Sequence, residues 1–434
     1  MINKLLLDSW LSKEGINKTE HILEWINNGN IFVDIKKTNL SNIGWFYNET
    51  SGQITNSTGS FFQIAGIREG LIEQPIMIQN EIGYLGIICK IFGGVLHCLM
   101  YAKIEPGNIN KIQISPTIQA TKSNFTQKHG GVTPAYLDCF INASYHHIII
   151  DQIQSEQSSR FFKKRNRNIM ILIEDDIEET QTHKWMTIGQ IKHLMRFDNL
   201  VNMNTRTVLS CIPLYNGLNS NSIYQYFNDY KMFKAITKDI IPLYSLKRWK
   251  MQGNEESFIC LDPWHFKIIF CDISIEGREV KHWGQPLFEA EGMAIFGLFS
   301  RVNNGVREFL VQAKHEIGCF DEIELGPTVQ LEAIEKPSNE IEKLFIEYYD
   351  SKIGIKYDVI LSEEGGRFYH EQNKNIIIEI EAELIKNPPP GYWWCTYKTL
   401  NELVQINNML NIQLRNLLSL LEVDKKEDLK EYCL

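Results

Sequence analysis

The feature that most constrains this chain is that it repeats itself. Residues 74–119 read QPIMIQNEIGYLGIICKIFGGVLHCLMYAKIEPGNINKIQISPTIQ, and residues 285–330 read QPLFEAEGMAIFGLFSRVNNGVREFLVQAKHEIGCFDEIELGPTVQ. The two segments align without a gap, and fourteen of the 46 positions are identical. The similarity continues downstream, where SEQSSRFF at 155–162 matches SEEGGRFY at 362–369. Two long copies of one pattern predict two tandem domains with the same fold, because a solenoid has more and shorter repeats.

The length of the chain agrees with this division. A total of 434 residues suits two domains of about 200 residues each. A polar stretch rich in Asn and Ser, near 218–222, lies between the copies and is typical of a linker. We therefore predict an N-terminal domain of residues 1–218 and a C-terminal domain of residues 219–434.

Each copy predicts the same order of elements. A helical segment comes first, at about 3–27 and about 222–237, and a helix closes each copy. Gly-Gly at 93–94 and Asn-Asn-Gly at 303–305 lie where tight hairpin turns are expected. The fold class is therefore α+β, a mixed sheet with flanking helices built twice. Strands are predicted at 61–67, 84–91, 96–103 and 111–114 in the first copy and at 266–273, 294–302, 308–314 and 322–325 in the second.

Composition and charge exclude several classes of protein. The net charge of −9 argues against a nucleic-acid-binding protein, which usually carries a basic surplus. The nine cysteines never occur as Cys-x-x-Cys, which argues against a structural zinc site and a disulfide framework. No window approaches 18 uninterrupted apolar residues, and residues 1–15 lack the long apolar core of a signal peptide. We therefore expect a cytoplasmic protein with no membrane span and no nucleic-acid partner.

Searches for common catalytic motifs find nothing. The chain has no Gly-x-Gly-x-x-Gly after a strand, no phosphate-binding P-loop and no Gly-x-Ser-x-Gly elbow. It has no His-x-x-x-His and no clustered carboxylates of the kind that hold a catalytic metal. The sequence therefore predicts neither a bound cofactor nor a metal site.

Polar residues recur at equivalent places in the two copies. Lys103 and Glu105 are two residues apart on a predicted strand, as are Lys314 and Glu316, so each pair projects from one face. Such a pair can hold an anionic substrate or move a proton. A salt-bridged pair on a solvated strand face is the more frequent explanation of this pattern, and both alternatives stay open.

A second polar stretch follows in the first copy, at 113–124. Amides and hydroxyls at this density suit a hydroxyl-rich ligand such as a sugar, and a lysine within it suits a phosphate. An ordinary polar loop is the alternative. The candidate residues are Thr117, Gln119, Lys122, Ser123 and Asn124, with His129 as a further titratable candidate.

The stretch 362–370 of the second copy is the third candidate. Its glycine pair lets backbone approach a ligand, and Arg367 beside it can grip a phosphate. Tyr369 can exchange a proton with a reacting hydroxyl, whereas the first copy has Phe162 there and no glycine pair. This divergence predicts one catalytic site and one structural or auxiliary site. A glycine turn with a capping arginine is the alternative.

The candidate segments together resemble a known family, the NDP-hexose 2,3-dehydratases, over nearly the whole chain. The segments that carry the resemblance are QPIMIQNEIGYLG (74–86), AKIEPGN (102–108), QISPTIQATKSNF (113–125), REVKHWGQPL (278–287), GPTVQ (326–330), SEEGGRFYH (362–370) and PPGYWW (389–394). The stretch 218–253 is hard to place against the family pattern. The resemblance implies two lobes like the Nudix hydrolase fold, although the chain shows no Nudix box, and it implies a cytoplasmic homodimer.

The resemblance also implies a reaction. Water is lost across carbons 2 and 3 of dTDP-4-keto-6-deoxy-D-glucose, and the product is a 3,4-diketo-2,6-dideoxy sugar nucleotide. A separate NADPH-dependent 3-ketoreductase is the implied pathway partner, and no cofactor or metal is implied for this chain. A non-catalytic nucleotide-sugar binding protein is one alternative. A nucleoside-diphosphate hydrolase is a second, which the missing Nudix signature disfavours.

Site residues follow as hypotheses. Proton transfer is assigned to Glu364 or Tyr369, with Lys103 and Glu105 as further catalytic candidates. The copy that holds the reaction stays open. The substrate-binding candidates are Thr117, Gln119, Lys122, Ser123, Asn124, Lys314, Arg367, Trp283 and Trp394.

Overall fold

The computed structural model shows a mixed α+β protein, in which sheets dominate and helices are short. It describes residues 2–29, 31–59, 61–121, 133–143, 146–215, 221–232, 237–278, 280–423, 426 and 428–432. The predicted fold class is confirmed at this level. Among the described helices, none is long and apolar enough to cross a membrane.

The strands number 24 within the described residues. Those of the first repeat are β1 (Val33–Thr38), β2 (Trp45–Asn48), β3 (Gln53–Asn56), β4 (Gln63–Glu69), β5 (Ile72–Ile78), β6 (Gly83–Phe92), β7 (Val95–Ile104), β8 (Ile112–Ser115), β9 (Ile118–Ala120), β10 (His147–Ser155), β11 (Arg165–Leu172) and β12 (His183–Thr187). Those of the second are β13 (Lys238–Ile241), β14 (Trp249–Gln252), β15 (Ser257–Cys260), β16 (Phe266–Ile275), β17 (His282–Ala290), β18 (Ala294–Asn303), β19 (Val306–His315), β20 (Ile323–Gly326), β21 (Val329–Leu331), β22 (Ile355–Ser362), β23 (Gln372–Glu379) and β24 (Tyr392–Thr396).

The helices lie before, between and after these strands. The helical segment predicted at about 3–27 consists of two helices, α1 and α2, separated by a non-helical stretch. The α-helices are α1 (Ile2–Leu11), α2 (Thr19–Asn27), α3 (Leu137–Ile141), α4 (Ile188–Leu194), α5 (Met203–Ser210), α6 (Asn221–Met232), α7 (Glu340–Asp350), α8 (Tyr397–Leu403) and α9 (Ile412–Ser419), and short 3₁₀ turns occupy Leu40–Ile43, Leu243–Ser245 and Asp428–Lys430.

Each repeat forms a seven-stranded sheet, and the two sheets have the same pairing. In the first repeat the order is β10-β11-β6-β7-β12, with β8 on β7 and β9 on β6. In the second, β22-β23-β18-β19-β24 repeats that order, with β20 on β19 and β21 on β18. The pairs β6–β11 and β18–β23 are parallel, and the other pairs in both sheets are antiparallel. The sequence repeat is thus a repeat of topology.

Both predicted hairpin turns are confirmed. Gly93 and Gly94 join β6 to β7 with φ of 57° and 85°, and Asn304 and Gly305 join β18 to β19 with φ of 51° and 79°. Two successive residues with positive φ make the tight turn whose twist matches antiparallel strands. Glycine and asparagine adopt that conformation most easily, which is why these residues lie there.

The two repeats exchange a strand with each other. Strand β1 of the first repeat pairs antiparallel with β16 of the second, from Val33 opposite Ile275 to Thr38 opposite Phe270. Strand β13 of the second repeat pairs antiparallel with β4 of the first. Each of the two five-stranded sheets therefore contains one strand from the other repeat. The division at residue 218 describes the sequence repeat, and its assignment as the boundary between domains 1–218 and 219–434 stays a prediction.

Candidate functional site

A loop from the second repeat docks on the first repeat through close backbone contacts. The Gly107 amide donates to the Gly365 carbonyl (2.6 Å), and the His370 amide donates to the Gly107 carbonyl (2.9 Å). A Cβ atom on Gly107 would lie 1.6 Å from the Phe368 carbonyl oxygen, so only glycine fits. This contact brings the second-copy loop 362–369 beside the end of β7.

The reciprocal contact exists in the other direction. The Gly318 amide donates to the Ser158 carbonyl (2.8 Å), and the Lys163 amide donates to the Gly318 carbonyl (2.7 Å). Two fully buried arginines donate hydrogen bonds to the first residues of these loops, 362–369 and 155–162. Arg206 on α5 donates to the Ser362 carbonyl (2.8 Å), and Arg415 on α9 donates to the Ser155 carbonyl. Each repeat therefore builds its polar site with a loop from the other repeat.

A cleft of about 730 Å³ opens at the first of these junctions. Its walls come from both repeats, so neither copy holds it alone. The residues that concern the chemistry are Lys103, Glu105, Thr117 and Gln119 from the first repeat and Arg278, Trp283, Glu364 and Arg367 from the second.

Two carboxyl groups and one amide form the polar centre of the cleft. The Gln119 Nε2 donates to Glu105 Oε1 (3.1 Å) and to Glu364 Oε1 (3.0 Å), so it bridges a carboxylate from each repeat. The Lys103 ammonium lies 3.1 Å from Glu105 Oε1. Lys103 and Glu105 pair as predicted, although β7 ends at Ile104, one residue before Glu105. The pair is buried in the cleft and does not lie on a solvated surface.

The pKa values of the two carboxyl groups are shifted in opposite directions. Burial by itself would raise the pKa of Glu105, but the charges of Lys103 and Arg278 hold it below its usual value. Burial and then the negative charge of Glu105 raise the pKa of Glu364. Burial lowers the pKa of Lys103, and Glu105 opposes that shift. Two neighbouring groups whose pKa values are shifted in opposite directions can take different roles. Here Glu105 keeps its negative charge, and Glu364 can carry a proton.

Two arginines supply positive charge to the cleft. Arg367 donates from Nη1 to the Gly366 carbonyl (2.7 Å), and its guanidinium lies 4.6 Å from the ring centres of Phe61 and Phe62. Its Nε is buried without a hydrogen-bond partner in the described part of the chain. Arg278 donates from Nη1 to the Ile104 carbonyl (2.7 Å). A guanidinium fork of this kind suits a phosphate group.

Aromatic side chains line the rest of the cleft. Tyr101 stacks on His183 with ring centres 4.7 Å apart and an interplanar angle of 9°. Burial lowers the pKa of His183 to about 4, so this ring is neutral near pH 7. Trp45 and Trp283 lie on the wall as well, and Trp283 donates from Nε1 to Gln285 Oε1 (2.8 Å). Flat apolar faces with fixed polar edges suit a base or a sugar ring.

The equivalent position in the other repeat has the same backbone frame, but two more carboxylates surround its arginine. Arg160 corresponds to Arg367, and its Nη2 lies 3.1 Å from Glu332 and 3.7 Å from Glu371. The aligned sequence has Thr121 in place of Glu332 and Lys164 in place of Glu371. Arg367 faces Glu364 and Glu105 but has no equivalent of these two carboxylates. The replacement of Glu332 by a neutral residue and of Glu371 by a lysine favours anion binding at the cleft.

The amide bridge is also altered in this counterpart. Gln330 donates from Nε2 to Glu316 (3.1 Å), as Gln119 does to Glu105. The position of Glu364, however, is taken by Gln157. Lys314 donates to the Gln330 carbonyl (3.3 Å) and belongs to this counterpart. The second carboxyl group of the pair is therefore present only at the cleft.

The structure brings seven of the predicted residues together and separates others. Tyr369 does not line the cleft, because its ring stacks on His370 at 4.1 Å with the Lys37 ammonium 4.9 Å from its centre. Trp394 donates to the Ile385 carbonyl (2.8 Å) and packs beside the second sheet, away from the cleft. The predicted residues in the cleft are Lys103, Glu105, Thr117, Gln119, Trp283, Glu364 and Arg367.

Four predicted residues lie outside the described part of the chain. They are Lys122, Ser123, Asn124 and His129, in a segment whose described neighbours Thr121 and Thr133 both line the cleft.

Sequence reasoning missed Arg278, Tyr101 and His183 as cleft residues. Arg278 has a counterpart in Arg68 of the first repeat, and that recurrence was the one available signal. Tyr101 and His183 carry no motif. Among the described residues, no three His, Cys, Asp or Glu side chains gather in an arrangement that would hold a metal ion.

Comparisons with known proteins agree with the repeat. A family model described as NDP-hexose 2,3-dehydratase matches residues 19–212 and again residues 220–421. A dTDP-4-dehydro-6-deoxy-alpha-D-glucopyranose 2,3-dehydratase of Saccharopolyspora spinosa is 35% identical over 413 residues, covering 86% of this chain and 85% of that protein. Proteins with the same description from Amycolatopsis orientalis (34% over 439 residues, 93% and 90% covered) and Streptomyces violaceoruber (34% over 412 residues, 89% and 92% covered) are similar.

Proposed function

The chain belongs to the NDP-hexose 2,3-dehydratase family, and on that premise we propose that it removes water across carbons 2 and 3 of dTDP-4-keto-6-deoxy-D-glucose. The product is a 3,4-diketo-2,6-dideoxy sugar nucleotide. One observation carries the proposal, namely the cleft in which Gln119 bridges an anionic Glu105 and a proton-accepting Glu364 beside two arginines. This set supplies what an elimination next to a ketone needs.

The chemistry follows from the substrate. The ketone at carbon 4 acidifies the hydrogen on carbon 3, so a base removes it as a proton and its bonding electrons move to the ketone oxygen. The resulting enolate expels the hydroxyl group on carbon 2, which takes up a proton and leaves as water. The remaining enol then tautomerises to the diketone. The step requires a base, an acid and donors to the enolate oxygen.

The cleft residues are assigned to these roles. Glu364 removes the proton from carbon 3 and returns it to the departing hydroxide, because its raised pKa makes it a stronger proton acceptor than an ordinary carboxylate. Lys103, held by the Glu105 carboxylate at 3.1 Å, stabilises the enolate oxygen. Arg278 and Arg367 grip the diphosphate. We assign proton transfer to Glu364 and not to Tyr369, which does not line the cleft.

Binding of the nucleotide and sugar is assigned to the remaining walls. Trp283 and Tyr101 offer ring faces to the base or the sugar, and Thr117 and Gln119 offer polar groups. Lys122, Ser123 and Asn124 stay proposed substrate ligands on the strength of the sequence. Lys314 is proposed as a residue of the auxiliary counterpart site.

Several broader features complete the proposal. The identical pairing of the two seven-stranded sheets supports two lobes of one fold, for which we propose the Nudix-like arrangement and the division into 1–218 and 219–434. We also propose a cytoplasmic homodimer, and the eight described cysteines, all free thiols, support a reducing compartment. The diketone product is reactive, so we propose that an NADPH-dependent 3-ketoreductase consumes it.

The test is incubation of the protein with dTDP-4-keto-6-deoxy-D-glucose and mass spectrometry of the sugar nucleotide after reductive trapping. We expect loss of one water with the wild type and a turnover lower by about 10²- to 10⁴-fold in Glu364→Gln. The matched control is Glu324→Gln, a buried carboxylate outside the cleft whose equivalent in the first repeat is natively Gln113, and it should keep turnover within a few-fold. Thermal stabilisation by the sugar nucleotide with no loss of water would instead indicate a binding protein.

A further inference from the structure

A buried glutamate behind the cleft has an oxygen with no partner. Glu156 and Glu363 are equivalent in the two repeats, and each accepts from an equivalent asparagine, Asn166 for Glu156 (2.7 Å) and Asn373 for Glu363. The second oxygen of Glu363 accepts from the Gln157 amide. The second oxygen of Glu156 is buried and has no hydrogen-bond partner among the described residues.

Comparison of the two repeats shows which residue occupies the position of the missing hydrogen-bond donor to Glu156. The residue equivalent to Gln157 is Glu364, the proposed proton carrier. An amide that donates to a carboxylate in one repeat is therefore replaced by a carboxyl group in the other. Two carboxyl groups in such positions do not both ionise, because like charges in a buried setting repel strongly. One proton shared by the pair supplies the donor that the amide supplies elsewhere.

We propose that Glu156 is a positioning residue that shares one proton with Glu364 and so sets the protonation state in which Glu364 meets the substrate. This inference rests on the proposed role of Glu364 in the elimination. Glu156 does not line the cleft and acts only through its neighbour.

The electrostatics agree with a shared proton. Burial and then the charge of Glu364 raise the pKa of Glu156 to about 7, and burial and then Glu105 raise the pKa of Glu364. Burial lowers the pKa of Lys164 to about 8 although the carboxylates of Glu156, Glu364 and Glu81 oppose the shift, so this lysine only partly offsets the charge of the Glu156–Glu364 pair. The charged groups that face the pair are Glu105, Lys103, Arg367, Lys164 and Arg415.

The decisive variant is Glu156→Gln. It makes the reverse of the amide–carboxylate pair that Gln157 and Glu363 form natively, because the amide now stands at the position of the carboxylate. Its Oε1 can still accept from Asn166, as the Glu156 carboxylate does, while its Nε2 faces Glu364. The glutamine donates to Glu364 and removes a neighbouring negative charge, and the pKa of Glu364 then falls. We expect the rising limb of the pH profile of kcat/KM to move to lower pH by about one unit.

The matched control is Glu324→Gln. Burial also raises the pKa of Glu324 to about 7, and its equivalent in the first repeat is natively Gln113. Glu324 accepts from Ser155 (2.8 Å) and does not line the cleft. We expect this variant to leave the pH profile unchanged. A change of the same size in both variants, or no change in Glu156→Gln, would overturn the proposal.

A second measurement needs no turnover. The pKa of Glu156 is about 7 in the folded chain against about 4.5 when unfolded, so the folded state binds more protons between these values and wild-type stability falls as pH rises through that window. Glu156→Gln has no carboxyl group that titrates at this position, so its stability does not fall with pH for this reason. We expect the Tm of the variant, relative to wild type, to rise between pH 5 and pH 8.

The two measurements separate the two proposals. If the wild type does not dehydrate the sugar nucleotide, the proposed function fails, and the Tm comparison still tests the premise of the shared proton, which is that Glu156 holds a proton above pH 5. A Tm difference between Glu156→Gln and wild type that stays constant from pH 5 to pH 8 would then refute it. If the wild type is active, the shift of the pH profile in Glu156→Gln and not in Glu324→Gln supports both proposals.

Discussion

Thr121→Glu should convert the cleft into a copy of its neutralised counterpart. Glu332, which occupies the equivalent position in the other repeat, lies 3.1 Å from Arg160. A carboxylate at position 121 should pair with Arg367 in the same way, because the two arginines are equivalent and Thr121 and Arg367 both line the cleft. The variant asks whether Arg367 is available to an anionic ligand in the native protein.

The size of the effect follows from the geometry. Two unit charges at the 3.1 Å seen between Arg160 and Glu332 interact by about 5 kcal/mol at an effective dielectric of about 20. Desolvation of the new carboxylate offsets part of this energy. We expect a net loss of about 2 to 3 kcal/mol in dTDP binding, which is about 30- to 150-fold in Kd.

Isothermal titration calorimetry with dTDP measures this directly. Thr121→Gln is the control, because glutamine has the bulk of glutamate without its charge. We expect Thr121→Gln to bind dTDP within about threefold of wild type and Thr121→Glu to bind far more weakly. Equal affinities for the two variants would refute the reasoning, since charge at position 121 would then not matter.

Three further outcomes are expected. Lys103→Met should lower kcat by about 10²- to 10³-fold in the trapped-product assay, because it removes the cation assigned to the enolate, and a kcat within twofold of wild type would contradict that role. Gly107→Ala should lower the free energy of unfolding in denaturant titrations by about 2 kcal/mol or more, because its Cβ would meet the Phe368 carbonyl at 1.6 Å, and an unchanged midpoint would show that the loop yields freely. Trp283→Ala should weaken dTDP binding by about tenfold in calorimetry, and an unchanged Kd would exclude Trp283 from the site.

Local features of the fold were predictable from the sequence. The hairpins at 93–94 and 303–305 depend on residues that tolerate positive φ, and those residues mark the turns by themselves. The two-residue period of a strand predicts the pairing of Lys103 with Glu105, and the pair forms although β7 ends at Ile104. Such features need only short-range information.

Long-range features were not predictable in the same way. Strands β1 and β13 are short and partly exposed, and nothing in their residues says that each pairs with the other repeat. The sequence left open which copy holds the reaction, and the structure shows a cleft built from both. Tyr369 follows Glu364 closely in the chain, yet the turn between them directs it away from the cleft.

A crystal structure of the protein with dTDP tests the central claim most directly. That claim is that one cleft, made by Lys103, Glu105 and Gln119 of the first repeat and Glu364 and Arg367 of the second, is the site of the reaction. We expect the nucleotide in this cleft with its diphosphate against the arginines. A nucleotide bound elsewhere with the cleft empty would contradict the claim.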